Sequence, residues 1–477
     1  MLKLLRKILL VVMTVLCGIM ALGTIIMFDN ATIINNTLEI QTFEIVNEDV
    51  DPDADTQYIK SDFESADAKT AFGKETARRV VAEGSVLLKN TNNALPLAKN
   101  TKVTLMGTNW VNPVYGGTGS GGISTSAAVN FVDSLTMAGL DINPTMLAQY
   151  NDSSWRSYRR TTSGSFGKAI HKINEVPWDV FTPELLTSIN SYNTALVVVA
   201  RNGGEGNDLR NYPLRAEKEG ADAGNAFGHD GIDNDDGLGK DYLGLNQNEI
   251  DMLKGLKAKK DRGEISKIIV VLNFAAMLEG NFINDPAYGI DSALWIGTPG
   301  LGGKAIGELI VGDETPSGRL PDTMFQDNAF NPVNVNFTPR EYLGAEAAGL
   351  PTKWATGSYP EASFSNYSVY QEGLYLGYRY TETRYEDVVL GTNNVGNFNY
   401  ANTVAYPFGY GLSYADFETS DISVTKNGDR TYTVSVKVTN TSAIYVSGKY
   451  SVPIYVSKPY GDYAKRNGVQ VPAVELV

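Results

Sequence analysis

Hydrophobic and polar positions divide the chain into three regimes. Residues 8–28 are an apolar run of 21 residues without a charge, preceded by Lys3, Arg6 and Lys7. A helix of that length spans roughly 30 Å, the thickness of a bilayer core. The basic flank predicts a cytoplasmic N-terminus, with everything after Asp29 on the outer face. No Ala-x-Ala-like site follows the run, and Leu16 precedes Cys17 where lipoprotein processing takes a small residue, so the run reads as an uncleaved single-pass anchor. Residues 29–66 read as a polar spacer with one strand near 38–46.

The second regime alternates short unbroken apolar runs with amphipathic segments. Residues 103–106, 196–200, 267–273 and 293–297 are strand-like, with no polar face. Such runs suit a sheet covered on both sides. Helices are expected over 67–82, over 126–138, from Thr182-Pro-Glu184, and from Asn246-x-x-Glu249 to Lys260, where an N-cap residue is followed by an early acid. Strands and helices at this spacing predict an α/β fold, a mostly parallel sheet with helices on both faces. Residues 328–416 change to irregular, aromatic-rich sequence that includes Tyr375, Tyr378, Tyr380, Tyr385, Tyr406, Tyr410 and Tyr414. These rings are expected either to pack a linker or to stack on sugar. From about Phe417 the period becomes two, clearest in 431–439, which predicts an all-β immunoglobulin- or fibronectin III-like sandwich. That domain reads as incomplete, because the chain stops at 473–477 in strand-like sequence.

Composition narrows the chemistry. A net charge of -14 and a pI near 4.8 argue against a nucleic-acid partner. Cys17 is the single cysteine and His171 and His229 are the two histidines, which leaves no thiolate cluster and no zinc-ligand spacing. The Gly/Asp/Asn-rich stretch 222–241 matches no EF-hand register, and no metal or cofactor is expected. Read as Gly117-x-Gly119-x-x-Gly122, the run 116–122 imitates a dinucleotide fingerprint, but about ten residues separate it from the preceding strand where that turn needs a glycine at once.

The strand at 196–200 ends in Arg201-Asn-Gly-Gly-Glu-Gly-Asn-Asp208. Glycines there flank Glu205 on both sides, which places a carboxylate at the carboxyl end of a strand, where α/β sheets bind ligands. Glu205 is therefore the candidate general acid/base, with Gly204 and Gly206 shaping its loop.

Four stretches, in order, resemble glycoside hydrolase family 3, the β-glucosidases and their relatives. They are Gly84-Ser-Val-Leu-Leu-Lys-Asn90 with Ala94-Leu-Pro-Leu97; Gly204-Glu-Gly-Asn-Asp208; Pro299-Gly-Leu-Gly-Gly303 through Pro316-Ser-Gly-Arg-Leu-Pro321; and Pro407-Phe-Gly-Tyr-Gly-Leu-Ser-Tyr414. The resemblance implies an α/β sandwich domain over 67–327, a linker over 328–416 and a fibronectin III-like domain over 417–477. It also implies that Glu205 is the acid/base of a retaining glycosidase acting on β-linked glucosides or related oligosaccharides, with Asp208 and Arg210 as supports. The family's nucleophile is an aspartate on a TIM barrel that usually precedes the sandwich, where this chain has its apolar segment, so the chain resembles an order-swapped member with its barrel expected downstream. Ser61-Asp62-Phe63 resembles the nucleophile motif but sits in polar sequence without a barrel repeat, and reads as a surface turn. The family often has Arg directly after the loop aspartate, where this chain has Leu209. The expected protein is a bacterial cell-surface hydrolase, inactive as this chain alone; the alternative is a non-catalytic, membrane-anchored carbohydrate-binding or scaffold protein.

Overall fold

The computed structural model describes residues 2–38, 61–117, 119–163, 170–205, 242–336, 340–341, 344, 347–348, 366–367, 369–392, 395–443 and 446–477. The chain divides into two units, Met1–Glu64 and Ser65–Val477. In the first, helix α1 (Leu2–Asp29) has a mean hydropathy of 2.6 over its most apolar stretch, enough in length and composition to cross a membrane. A signal sequence near an N-terminus passes the same test. Within it Thr14 and Thr24 donate to the carbonyls of Leu10 and Met20 at 2.9 Å, which removes two free hydroxyls from an apolar helix. The spacer then begins as a short helix, α2 (Ala31–Thr37), because Asn30 breaks the chain for only one residue. The strand expected near 38–46 lies, beyond residue 38, outside the described residues.

In the second unit α3 (Ala66–Gly84) starts where Ser65 accepts from the Ala68 amide. It leads into a six-stranded sheet made of β1 (Val86–Asn90), β2 (Lys102–Met106), β3 (Asp141–Ile142), β4 (Thr194–Ala200), β5 (Lys267–Asn273) and β6 (Ser292–Trp295). Their order across the sheet is β1-β6-β5-β4-β2-β3. β1 runs antiparallel to β6 and every other pairing is parallel, so the mostly parallel sheet expected from the sequence is present. Every residue of β4 is buried, as a central strand with two covered faces requires.

Alternate residues of the central strands feed two separate cores. Val197, Val199 and Val270 pack with Met146 and Tyr150 of α5 (Pro144–Asn151), Leu185 and Ile189 of α6 (Pro183–Ser191), and Met252, Leu253 and Leu256 of α7 (Gln247–Asp261). Leu196, Val198 and Val271 face the other way, onto Phe131 and Leu135 of α4 (Phe131–Met137) and Ile306, Leu309 and Ile310 of the helix Lys304–Val311. The two helices of that second layer touch closely at Gly307, where a Cβ would lie 2.2 Å from the Ser134 carbonyl.

Helix starts follow local chemistry. Thr182 caps α6, and Asn246 and Glu249 form both halves of a capping box on α7. The helix expected over 126–138 is shorter than its sequence reading: it begins at Phe131, because the Asn130 side chain captures the Asp133 amide and fixes the start there.

Beyond the sheet, the 404–416 segment docks onto it. The amide of Leu412 donates to Leu87 O, that of Gly409 to Leu320 O, and the Tyr414 hydroxyl to Leu309 O at 2.7 Å. Within the aromatic-rich stretch lies a 13-residue helix, Tyr378–Leu390. After it, Phe417–Lys426 and Tyr432–Asn440 pair as an antiparallel hairpin that forms a sheet of its own, with none of its residues buried. Further on, Tyr455–Val456 pairs antiparallel with Glu475–Leu476.

Candidate active site

The chain turns at β2. It runs from β2 out to the edge strand β3, then returns to place β4 on the opposite side of β2. Loops leaving the carboxyl ends of β2 and β4 therefore diverge, and a crevice opens between them at this switch of strand order. A cavity of about 350 Å³ occupies it. Its lining comes from the ends of four parallel strands: Gly116, Gly117 and Gly121 after β2, Arg201 to Glu205 after β4, Ala275 and Ala276 after β5, and Thr298 after β6.

Glu205 is the only carboxylate among the described residues of this lining. It is exposed, and Oε2 accepts from the Ser120 amide at 2.9 Å and from the Ser120 hydroxyl. These bonds, the hydroxyl's first and the amide's second, hold its carboxyl below the usual range. The approach depends on Gly119, whose φ is +73° and where a Cβ would lie 2.9 Å from the Glu205 side chain. The Gly-rich run that imitates a dinucleotide turn thus packs against an acid here.

The backbone that carries Glu205 is held from below. Arg201 is 2% exposed and directs its guanidinium to both oxygens of Glu249, at 2.8 and 2.7 Å. It also donates to the carbonyls of Ala200, Tyr242 and Gly244. The Tyr242 hydroxyl accepts from the Asn202 amide and donates to the Asn202 carbonyl, both at 3.0 Å. Residues 200–202 and 242–244 are thereby tied together beneath the cavity. Asn273, at the end of β5, exchanges two bonds of 2.8 Å with the Val114 backbone and donates to Gly297 O. That one amide links the loops after β2, β5 and β6.

A second acid lies under the β2 loop. Glu175 is 1% exposed and accepts from the Thr108 and Val176 amides. Burial outweighs those bonds and pushes its carboxyl up to about 8. It does not line the cavity.

Of the residues expected from sequence, Gly204 and Glu205 line the cavity, whereas Gly206, Asp208 and Arg210 lie outside the described residues, as does the 222–241 stretch. Sequence reasoning missed the parts played by Ser120, Arg201, Tyr242 and Asn273. Arg201 did leave a signal: a cation directly after a wholly apolar strand needs a buried partner. Glu249 was visible only as a helix cap, and its second use depends on tertiary contact.

Residues 85–378, more than half of the chain, match the family described as glycosyl hydrolase family 3 C-terminal domain. A beta-glucosidase of Ruminococcus albus is 27% identical over 389 residues, which cover 81% of this chain and 32% of that protein. Beta-glucosidase A of Butyrivibrio fibrisolvens is 28% identical over 426 residues, covering 84% of this chain and 44% of its own length. Among solved structures, a beta-glucosidase from Paenibacillus barengoltzii superposes with a TM-score of 0.61 at 26% identity, over 84% of this chain and 36% of that one. The chain spans between about a third and less than half of these relatives' lengths. With the parallel sheet, its switch-point cavity and this match in hand, the chain belongs to glycosyl hydrolase family 3, through that family's C-terminal domain.

Proposed function

We propose that this chain supplies the acid/base half of a retaining glycosidase that acts on β-linked glucosides or related oligosaccharides. The supporting observation is that Glu205 is the one carboxylate among the described residues lining the switch-point cavity. A retaining mechanism needs a second carboxyl about 5 Å away as nucleophile. We assign it to a TIM-barrel aspartate in the part of the relatives' length that this chain does not span, so the chain by itself is inactive. Glu205 first protonates the leaving glycosidic oxygen. The resulting carboxylate then takes a proton from water as the glycosyl-enzyme is hydrolysed.

The Ser120 bonds favour the ionised carboxyl, which suits the second step. The first step needs a proton on Glu205, and burial beneath a sugar and a covering barrel raises its pKa in that direction. Asp208 and Arg210 are assigned as supports of the same loop. The apolar helix α1 is assigned as an uncleaved anchor that holds the remainder outside the cell, and residues 417–477 as part of a fibronectin III-like domain.

The test is leaving-group dependence in an enzyme that includes the barrel. General acid catalysis is worth about 10²- to 10⁴-fold. Glu205→Ala is expected to lose that factor on alkyl glycosides, while glycosyl-enzyme formation from a dinitrophenyl glycoside suffers far less and added azide restores turnover. Equal slowing of both substrates without azide rescue would show that Glu205 is not the acid/base.

A further inference from the structure

The tyrosines of residues 375–414 do not share one fate. Tyr378 stacks on Phe408 with ring centroids 4.6 Å apart, Tyr385 meets Tyr400 edge-on, Tyr406 packs on Tyr410, and Tyr414 sends its hydroxyl to Leu309 O. Packing occupies these rings. Tyr375, Tyr380 and Tyr460 line a cleft of about 870 Å³, with Tyr380 meeting Phe398 edge-on at 6.2 Å and the Lys465 ammonium 5.9 Å from the centre of the Tyr460 ring. This volume falls in the range of small-molecule sites, and the cleft shares no lining residue with the Glu205 cavity.

One wall of the cleft is the helix Tyr378–Leu390, and the other is the segment 457–460 with 471–473. The walls are joined. The Ala473 amide donates to Thr383 Oγ1 at 2.9 Å, the Ser457 hydroxyl to Ala473 O at 2.8 Å, and Tyr455–Val456 pairs with Glu475–Leu476. Charged groups in the lining balance, with Arg384 and Lys458 against Glu386 and Asp387, so the cleft does not select a cation or an anion. Lys458 is paired with Glu475, and Arg384 is held by Asp387 and by Val395 O. The Glu386 carboxylate is exposed and lines the cleft.

Three aromatic rings among charge-balanced polar groups match a ligand with apolar ring faces and neutral hydroxyl edges. We propose that this cleft is an oligosaccharide-binding site distinct from the active site, one that holds a short neutral β-linked glucan by stacking on Tyr380 and Tyr460 and hydrogen bonding to Glu386. This site goes beyond the glycosidase reading and does not depend on Glu205.

The test is titration of the full chain in detergent with cellotetraose and laminaritetraose, followed by NMR line broadening of the sugar. Saturable binding in the millimolar range is expected. Tyr460→Ala, at a ring that is 52% exposed and so removable without loss of the fold, is expected to weaken it about tenfold, and Tyr380→Ala at least as much. Glu205→Gln is expected to leave it unchanged. Absence of saturable binding, or binding that Tyr460→Ala does not weaken, overturns the proposal. Binding lost with Glu205→Gln but kept with Tyr460→Ala places the sugar in the switch-point cavity, which overturns this site and leaves the glycosidase reading standing.

Discussion

Strand Thr194–Ala200 and strand Tyr432–Asn440 are both rich in valine, yet every residue of the first is buried and none of the second is. The first lies between β2 and β5, with helices over both faces. The second, among the described residues, has one partner strand, Phe417–Lys426, and no layer over either face. Val424 and Val434 stand opposite each other at 64% and 37% exposure. Apolar content therefore marks a strand in either place, but stabilisation follows from what covers it. Burial is worth about 25 cal/mol per Å² of apolar surface removed from water, and the hairpin removes little.

The sharpest way to break this contrast lies just past the end of β4. Glu249→Ala leaves the Arg201 guanidinium buried without its carboxylate, which costs about 3–5 kcal/mol in comparable pairs. The expected result is a large drop in the denaturant midpoint of the sheet unit, with the far-UV spectrum of the hairpin little changed beforehand. Next comes Leu196→Ala, which opens a cavity at a side chain with no exposure and should cost about 2–5 kcal/mol in the same measurement.

The acid under the β2 loop sharpens the comparison through pH. Glu175 is held protonated up to about 8 in the folded chain, against an ordinary value of 4.5 once unfolded. Between those limits the folded state binds more protons than the unfolded one, so stability falls as pH rises through this window. Glu175→Gln should flatten that slope in a series of melting curves. It should also lower stability at pH 5 by about 1–2 kcal/mol, because an amide nitrogen then faces a backbone N–H. The smallest effect is expected in the hairpin, where Val434→Thr should change stability by no more than about 0.5 kcal/mol. A cost near that of Leu196→Ala would show that the hairpin's face is covered in solution.

Much of the fold was legible because its signals are local. Unbroken apolar runs marked β2, β4, β5 and, within two residues, β6. Thr182 and the Asn246/Glu249 pair marked two helix starts, since a cap is made within one turn of chain. The glycine-flanked acid at Glu205 was legible for the same reason: a strand end and a turn lie next to each other in sequence.

Tertiary structure decided the remainder. Which strands are neighbours, and hence that the loops after β2 and β4 share a crevice, depends on chain crossings that no local pattern encodes. The contact between Ser120 and Glu205 spans 85 positions, and the one between Arg201 and Glu249 spans 48. Residue type alone cannot distinguish a capping glutamate from one that also neutralises a buried arginine, or Tyr378 packed on Phe408 from Tyr380 lining a cleft. The sequence determined which residues carry charge, aromatic surface and turn geometry, because those properties belong to the side chain and its near neighbours. Burial, pairing and the placement of a carboxylate beside a cavity required the folded chain, because each is a relation between segments that only packing brings together.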